Sequence, residues 1–251
     1  MDKSNSKSIM YTSLTGEVFS KLYLQRNDIK ILKNNSFYLK LHNSHEDSII
    51  NYKTFDIDNV YTYLQKVIEI IINKIKNKKN VNILTFGLAL GTCPMYISKN
   101  LTNVKNIDCV EYDKDVIYIF NRLFNNKRME KYTQITNKLN IINADIIDFV
   151  TEYNKNGVGK KYNIGKKYNI IFDDTLYLEN GYKRNINNNK KIYNNKSYNI
   201  KNLYDMLKNN GILLIQLWNI NTFNLKEDDF KIFKKVSLIK TSTGIIVNCQ
   251  K

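Results

Sequence analysis

A chain of 251 residues, 43% of them hydrophobic, can bury the core of one medium-sized α/β domain. Its formal charge of +16 would suit nucleic acid, but lysine piles up with asparagine at 74–80, 154–167 and 183–196, stretches without apolar period that read as solvated insertions left by a compositional bias. Three scattered cysteines exclude a disulfide framework, no apolar run reaches membrane-spanning length and no signal-peptide core opens the chain, so a cytoplasmic protein with no membrane contact is expected.

Residues 1 to about 22 lack a clear period and are read as a loose arm or short strand. Ile29, Ile31, Phe37, Leu39 and Leu41 alternate with polar residues around Lys33-Asn-Asn-Ser36, which predicts a β-hairpin. The only histidines, His42 and His45, follow in a polar turn, and no metal site is expected from so few ligands. Residues 49–52 add a short strand. After a cap at Asp58-Asn59, apolar residues from Val60 to Ile75 recur at helical spacing.

The apolar run 81–86 then enters the turn Gly87-Leu-Ala-Leu-Gly91. Pro94, the only proline, marks a helix start, with Thr92 expected to cap it. A strand over 106–110 ends on Glu111, and a helix is predicted over 114–125. Residues 139–143 form the next strand, followed by Ala144-Asp145 and a short helix over 146–153. The strand 168–172 ends in Asp173-Asp174. A helix at Ile200, Leu203, Tyr204 and Leu207 is expected to stop at Asn209-Asn-Gly211, before a strand over 212–217. A short helix near 229–233 and a hairpin of 236–239 with 244–249 close the chain.

Alternating strands and helices imply a mostly parallel sheet with helices on both faces, and ligands bind beyond the carboxyl ends of such strands. Polar groups fall at four of those ends: Glu111, Asp145, Asp174, and Gln216 with Asn219. A strand, glycine turn, helix and second strand tipped by an acid is a nucleoside-binding unit. The turn lets backbone approach the ligand and the acid takes the ribose hydroxyls. Each acid could equally serve as a helix cap or turn former.

The ordered set ILTFGLALGT, VEYDKDVI with RLF, NADIIDFV, YNIIFDDT and LKNNGILLIQL resembles the class I S-adenosylmethionine-dependent methyltransferase superfamily, and within it the spermidine synthase (polyamine aminopropyltransferase) family. The resemblance spans roughly residues 25 to 250. It implies a Rossmann-like sheet with a C-terminal antiparallel hairpin and a small N-terminal β-region. Residues 1–57 would be that arm and hairpin region. Residues 58–251 would be the cofactor domain, with Lys/Asn-rich insertions near 154–167 and 180–197. The resemblance places Gly87, Ala89 and Gly91 under the amino-acid part of the cofactor and Glu111 on the ribose. Ala144 and Asp145 would border the adenine, and Asp174 would lie near the sulfonium. Asp174 and Tyr177 are the catalytic candidates. Three positions depart from the family pattern: Ala89 replaces a glycine, Thr85 stands where methyltransferases carry an acid, and Tyr177 stands where synthases carry a second aspartate.

The resemblance implies a transferase of S-adenosylmethionine, moving its methyl group to an acceptor that the residues do not identify. Aminopropyl transfer from decarboxylated S-adenosylmethionine is the second reading, with Asp173 or Asp174 as base. A third is a binding or scaffold protein that keeps the fold without chemistry. A nicotinamide fingerprint fares worst, because glycines are missing at Ala89 and Thr92. Beyond the nucleoside cofactor, nucleic acid and a homodimer stay open as partners. A nucleic-acid surface would draw on Tyr182, Tyr193 and Tyr198 among the lysines of the second insertion.

Overall fold

The structure, a computed structural model, describes residues 8–12, 18–23, 30–33, 38–42, 47–51, 54–55, 62–124, 134–155, 166–175, 178–179, 182–183, 200–218 and 230–251. Tyr177, Asn219, His45, Tyr193, Tyr198, the cap at Asp58-Asn59 and most of both Lys/Asn-rich insertions lie outside these residues. The N-terminal region is all β. Strands β1 (Ser8–Thr12) and β2 (Val18–Tyr23) pair antiparallel. Strands β3 (Lys30–Lys33), β4 (Tyr38–His42) and β5 (Asp47–Asn51) make a separate three-stranded meander, whose first two strands are the expected hairpin. Ile50 and Phe55 are buried in the main core, and the Phe55 ring meets Phe124 edge-on at 5.9 Å.

The main unit alternates strand and helix. In order come α1 (Thr62–Ile75), β6 (Val81–Phe86), α2 (Thr92–Asn100), β7 (Val104–Glu111), α3 (Lys114–Phe124), β8 (Leu139–Asn143), α4 (Ile146–Lys155) and β9 (Tyr168–Asp173). A small pair follows, β10 (Leu178–Glu179) with β11 (Tyr182–Lys183). Then come α5 (Ile200–Met206), β12 (Leu207–Trp218), β13 (Lys235–Thr241) and β14 (Gly244–Gln250). Seven strands form one sheet in the order β13-β14-β12-β9-β6-β7-β8. Strands β12, β9, β6, β7 and β8 run parallel, and β14 is antiparallel to both of its neighbours.

Period-two alternation divides the sheet residues between two cores. Ile83, Ile107, Phe172, Leu214 and Ile246 meet α1, α2 and α3 on one face. Leu84, Val110, Ile171, Leu213 and Val247 meet α4 and α5 on the other. Helix α1 buries Leu64, Val67, Ile68, Ile71 and Ile75, the stripe its spacing predicts. The result is a three-layer α/β/α fold with a mostly parallel sheet and an antiparallel C-terminal hairpin.

Two local expectations are corrected. Thr92 does not cap α2: it is the first helical residue, the cap position is Gly91 in the left-handed region (φ +74°), and no side chain caps the helix. Pro94 therefore stands two residues further in, still within the first turn, where its missing N–H costs no intrahelical bond. Helix α5 ends at Met206, ahead of Asn209-Asn-Gly211, and β12 starts at once. The left-handed residue there is Asn210 (φ +59°), and it sits where the β12–β9 register shifts between Leu207 and Ile212. The turn chemistry was read correctly as a break, but it interrupts a strand and not a helix. Of the short helix expected near 229–233, the described part is a single turn in which the Phe233 amide donates to the Phe230 carbonyl.

Candidate functional site

The parallel ladders continue past the strand ends and tie the loops together. The Gly87 amide donates to Val110 O (2.9 Å), Asp174 N to Phe86 O (3.1 Å) and Ala144 N to Glu111 O (3.0 Å). Gly87, Glu111, Ala144 and Asp174 thus stand side by side along the carboxyl edge, where the sequence places them. The β6–α2 turn is unusual in its backbone. Gly87 (φ +88°), Ala89 (φ +47°) and Gly91 (φ +74°) all adopt left-handed conformations. At Gly91 the need for glycine is also steric, since a Cβ would come within 2.4 Å of the Phe120 ring. At Ala89 the methyl group is tolerated at a cost of about 1–2 kcal/mol.

Glu111 is the hinge of the arrangement. It is 7% exposed, and its carboxylate reaches back onto the turn: Oε2 accepts from Leu88 N (3.0 Å) and Oε1 from Asp113 N (2.9 Å). Burial pushes its pKa up, and the amides of Asp113, Leu88 and Ala89 pull against that shift. A carboxylate has about four acceptor positions, so these amides do not exhaust its capacity for a hydroxyl donor. Next to it Tyr112 is 62% exposed, an aromatic face at the rim that sequence reading passed over. Its signal was an aromatic residue directly after the acid at a strand tip.

The other acids divide by role. Asp113 Oδ1 accepts from Asp115 N (2.9 Å) and Val116 N (3.4 Å), capping α3. Asp145 Oδ1 accepts from Ile147 N (2.7 Å) and Asp148 N (3.4 Å), capping α4. Asp173, 1% exposed, is held by the Thr175 hydroxyl (2.6 Å) and amide (3.1 Å). Asp174 turns to the opposite face, toward α1, where Tyr63 OH donates to its Oδ2 at 2.9 Å. Cys93, in the first turn of α2, lies close enough to Asp174 that burial and then that carboxylate hold its thiol well above the usual range. It is a protonated filler and not a nucleophile.

Gln216 completes this wall. The register pairs Ile215 with Asp173, so Gln216 stands beside Asp174 on the same face as Leu214. It is 2% exposed, and among the described residues neither amide atom has a hydrogen-bond partner. A Cβ on Gly244 would lie 1.9 Å from Leu217 O and 3.1 Å from Gln216 Nε2, so glycine there makes room for both the backbone and the amide. Thr62 Oγ1 and Ser242 Oγ, 2.6 Å apart, tie the start of α1 to the β13–β14 turn nearby. Among the described residues no cluster of His, Cys, Asp or Glu could hold a metal ion, and no helix is long and apolar enough to cross a membrane.

No family model matches the sequence, and no curated protein matches it. Solved structures do. A spermidine synthase from Thermotoga maritima superposes over 100% of this chain and 82% of its own, with a TM-score of 0.51 at 14% identity. A precorrin-6y C5,15-methyltransferase from Geobacter metallireducens covers 74% of this chain and 88% of its own, with a TM-score of 0.46 at 8% identity. The chain has the fold of the class I methyltransferases, which the spermidine synthase shares.

Proposed function

We propose that the chain is an S-adenosylmethionine-dependent transferase that moves the methyl group to a small polar acceptor held between Asp174 and Gln216. The observation that carries this reading is the β6–α2 turn. Its left-handed backbone ends in a helix that no side chain caps, and Glu111 is locked onto it from the next strand. The partial positive charge at the start of α2, where no side chain caps the helix, suits the carboxylate of the intact cofactor, which the decarboxylated form lacks. Glu111 takes the ribose hydroxyls with its remaining acceptor positions. Tyr112 and Ala144 border the adenine, and Asp145 accepts from its amine.

The bound cofactor supplies a methyl carbon made electrophilic by its sulfonium. The chain's residues then position and desolvate the acceptor, and the Asp174 carboxylate beside it takes the proton it releases as S-adenosylhomocysteine leaves. Asp174 favours the sulfonium charge by its own, and Tyr63 fixes its orientation. Tyr177, four residues beyond the end of β9 in the sequence, is assigned to orienting the acceptor. Gln216, buried and among the described residues with an unused donor and an unused acceptor, binds an acceptor group that can do both, such as an amine or a hydroxyl.

Aminopropyl transfer is the second reading, favoured by the fold shared with a spermidine synthase and by the Asp174–Gln216 wall, which would suit an amine. Asp173 contributes little to it, because the residue is 1% exposed and its Oδ1 is held by Thr175 inside the fold. Incubation with putrescine and either cofactor separates the two. The methyl reading predicts S-adenosylhomocysteine from the intact cofactor with a cell extract as acceptor source. Spermidine with methylthioadenosine from the decarboxylated cofactor would overturn it in favour of aminopropyl transfer.

A further inference from the structure

The edge of the sheet opposite the candidate site is lined with lysine. The register sets Lys235, Gln250, Ile212, Ile170, Ile83, Ile107 and Leu139 on one transverse line across all seven strands. Within a few residues of that line, on the amino side, each strand presents a lysine. Lys235 opens β13, Lys251 follows β14, Lys208 lies near the start of β12, and Lys167 and Lys79 precede β9 and β6. Lys105 and Lys138 continue the row at β7 and β8. With strands about 4.8 Å apart, the row is roughly 29 Å long. The acids Glu111, Asp145, Asp173 and Asp174 all stand at the other end of the strands.

Lysines on a solvated face ordinarily trail into water, but several of these are held. Lys78 Nζ donates to Asn210 O (3.3 Å) and Lys208 Nζ to Asn169 Oδ1 (3.0 Å). Lys251 Nζ donates to Tyr204 O (2.8 Å) and Leu207 O (3.1 Å) and lies 4.1 Å from the centre of the Tyr204 ring. These partners are neutral. Among the described residues Lys79, Lys167, Lys208, Lys235 and Lys251 form no ion pair. The amines press on one another: burial and then Lys208 lower the Lys78 pKa, and burial and then Lys167 lower that of Lys251.

We infer that the amino edge of the sheet is a binding surface for the phosphodiester backbone of RNA. A row of cations, several of them held by neutral partners, gains most from a polyanion, whose counterions are released on contact. A membrane surface would need apolar side chains beside the lysines. The large exposed hydrophobics among the described residues, Tyr112, Tyr118 and Leu238, lie on other parts of the fold.

The test is anisotropy of a fluorescein-labelled oligouridylate titrated with the full chain over a series of salt concentrations. Replacing exposed Lys79, Lys105, Lys167 and Lys235 by glutamine should flatten the slope of log affinity against log salt by about 2–3, because each phosphate contact on a single strand contributes about 0.7. The control K114Q/K240Q, at the opposite end of the strands, should leave the slope unchanged, and thermal melts should show both variants folded. An unchanged slope in the fourfold variant, an equal loss in the control, or binding to phosphatidylserine vesicles without binding to RNA would each overturn the assignment.

Discussion

Glu111 sets the pH response of the site. Its pKa is raised in the folded protein by burial, so its protonated form is the one that folding favours. Its contribution to stability is therefore full below the ordinary glutamate range and is lost as pH rises through the raised folded value. Accepting from ribose hydroxyls requires the ionised form, so cofactor affinity should move the other way. Affinity measured by calorimetry should fall as pH drops below the raised Glu111 value, and that step should be absent in Glu111→Gln. Gln216 makes a second contrast at the same scale. A buried amide with no partner costs about 1–3 kcal/mol, so Gln216→Leu should stabilise the chain by that order in denaturant unfolding while lowering transfer to the acceptor. A variant that lost both stability and activity would mean the amide is structural.

At the scale of elements, the turn and the sheet interior carry the clearest consequences. Gly91→Ala would force a Cβ into the Phe120 ring and into a left-handed backbone, a loss of about 2–4 kcal/mol. Ala89→Gly should relieve strain by about 1 kcal/mol and leave the turn intact. On the other face, Asp108 is fully buried and accepts from Tyr168 OH (2.8 Å), Asn140 Nδ2 (2.9 Å) and Lys166 Nζ (3.0 Å). This network binds β7, β8 and β9 together. Tyr168→Phe removes one donor and should cost about 1–3 kcal/mol, read from urea midpoints at unchanged slope.

These elements also show what the sequence made legible. Strands 81–86 and 139–143 were readable as apolar runs because a parallel strand faces a core on each side, and helix 114–124 because its 3.6-residue stripe meets one. The acids at 111, 145 and 174 were readable because strand tips are where an apolar run must stop. The cap of α2 was not, because Gly91 was read only as part of the turn and Thr92 is a good cap by type. The residue at 210 was missed as a strand irregularity because Asn-Asn-Gly terminates helices and interrupts strands with the same left-handed geometry. Tyr63 looked like a member of an apolar helix, and Gln216 was read only as a polar group at its own strand end. Only the register and the packing of α1 bring them to Asp174.

At the scale of the whole molecule, the acids of the candidate site stand at the carboxyl edge of the sheet and a row of lysines at its amino edge. The net +16 that looked like compositional drift in the sequence therefore has an ordered component in the fold. The three-layer architecture follows from alternation alone, while the order of its strands depends on long-range pairing that periodicity does not encode. The central claim is that the carboxyl edge holds an adenosyl sulfonium through the β6–α2 turn and Glu111. Isothermal titration of the full chain with S-adenosylmethionine and with its decarboxylated form tests it most directly. Saturable binding of the intact cofactor, weaker binding of the decarboxylated one and loss of both in Glu111→Ala are the predicted results. No heat from either ligand at millimolar concentration, or binding that survives Glu111→Ala, would contradict the claim and leave the fold as a scaffold.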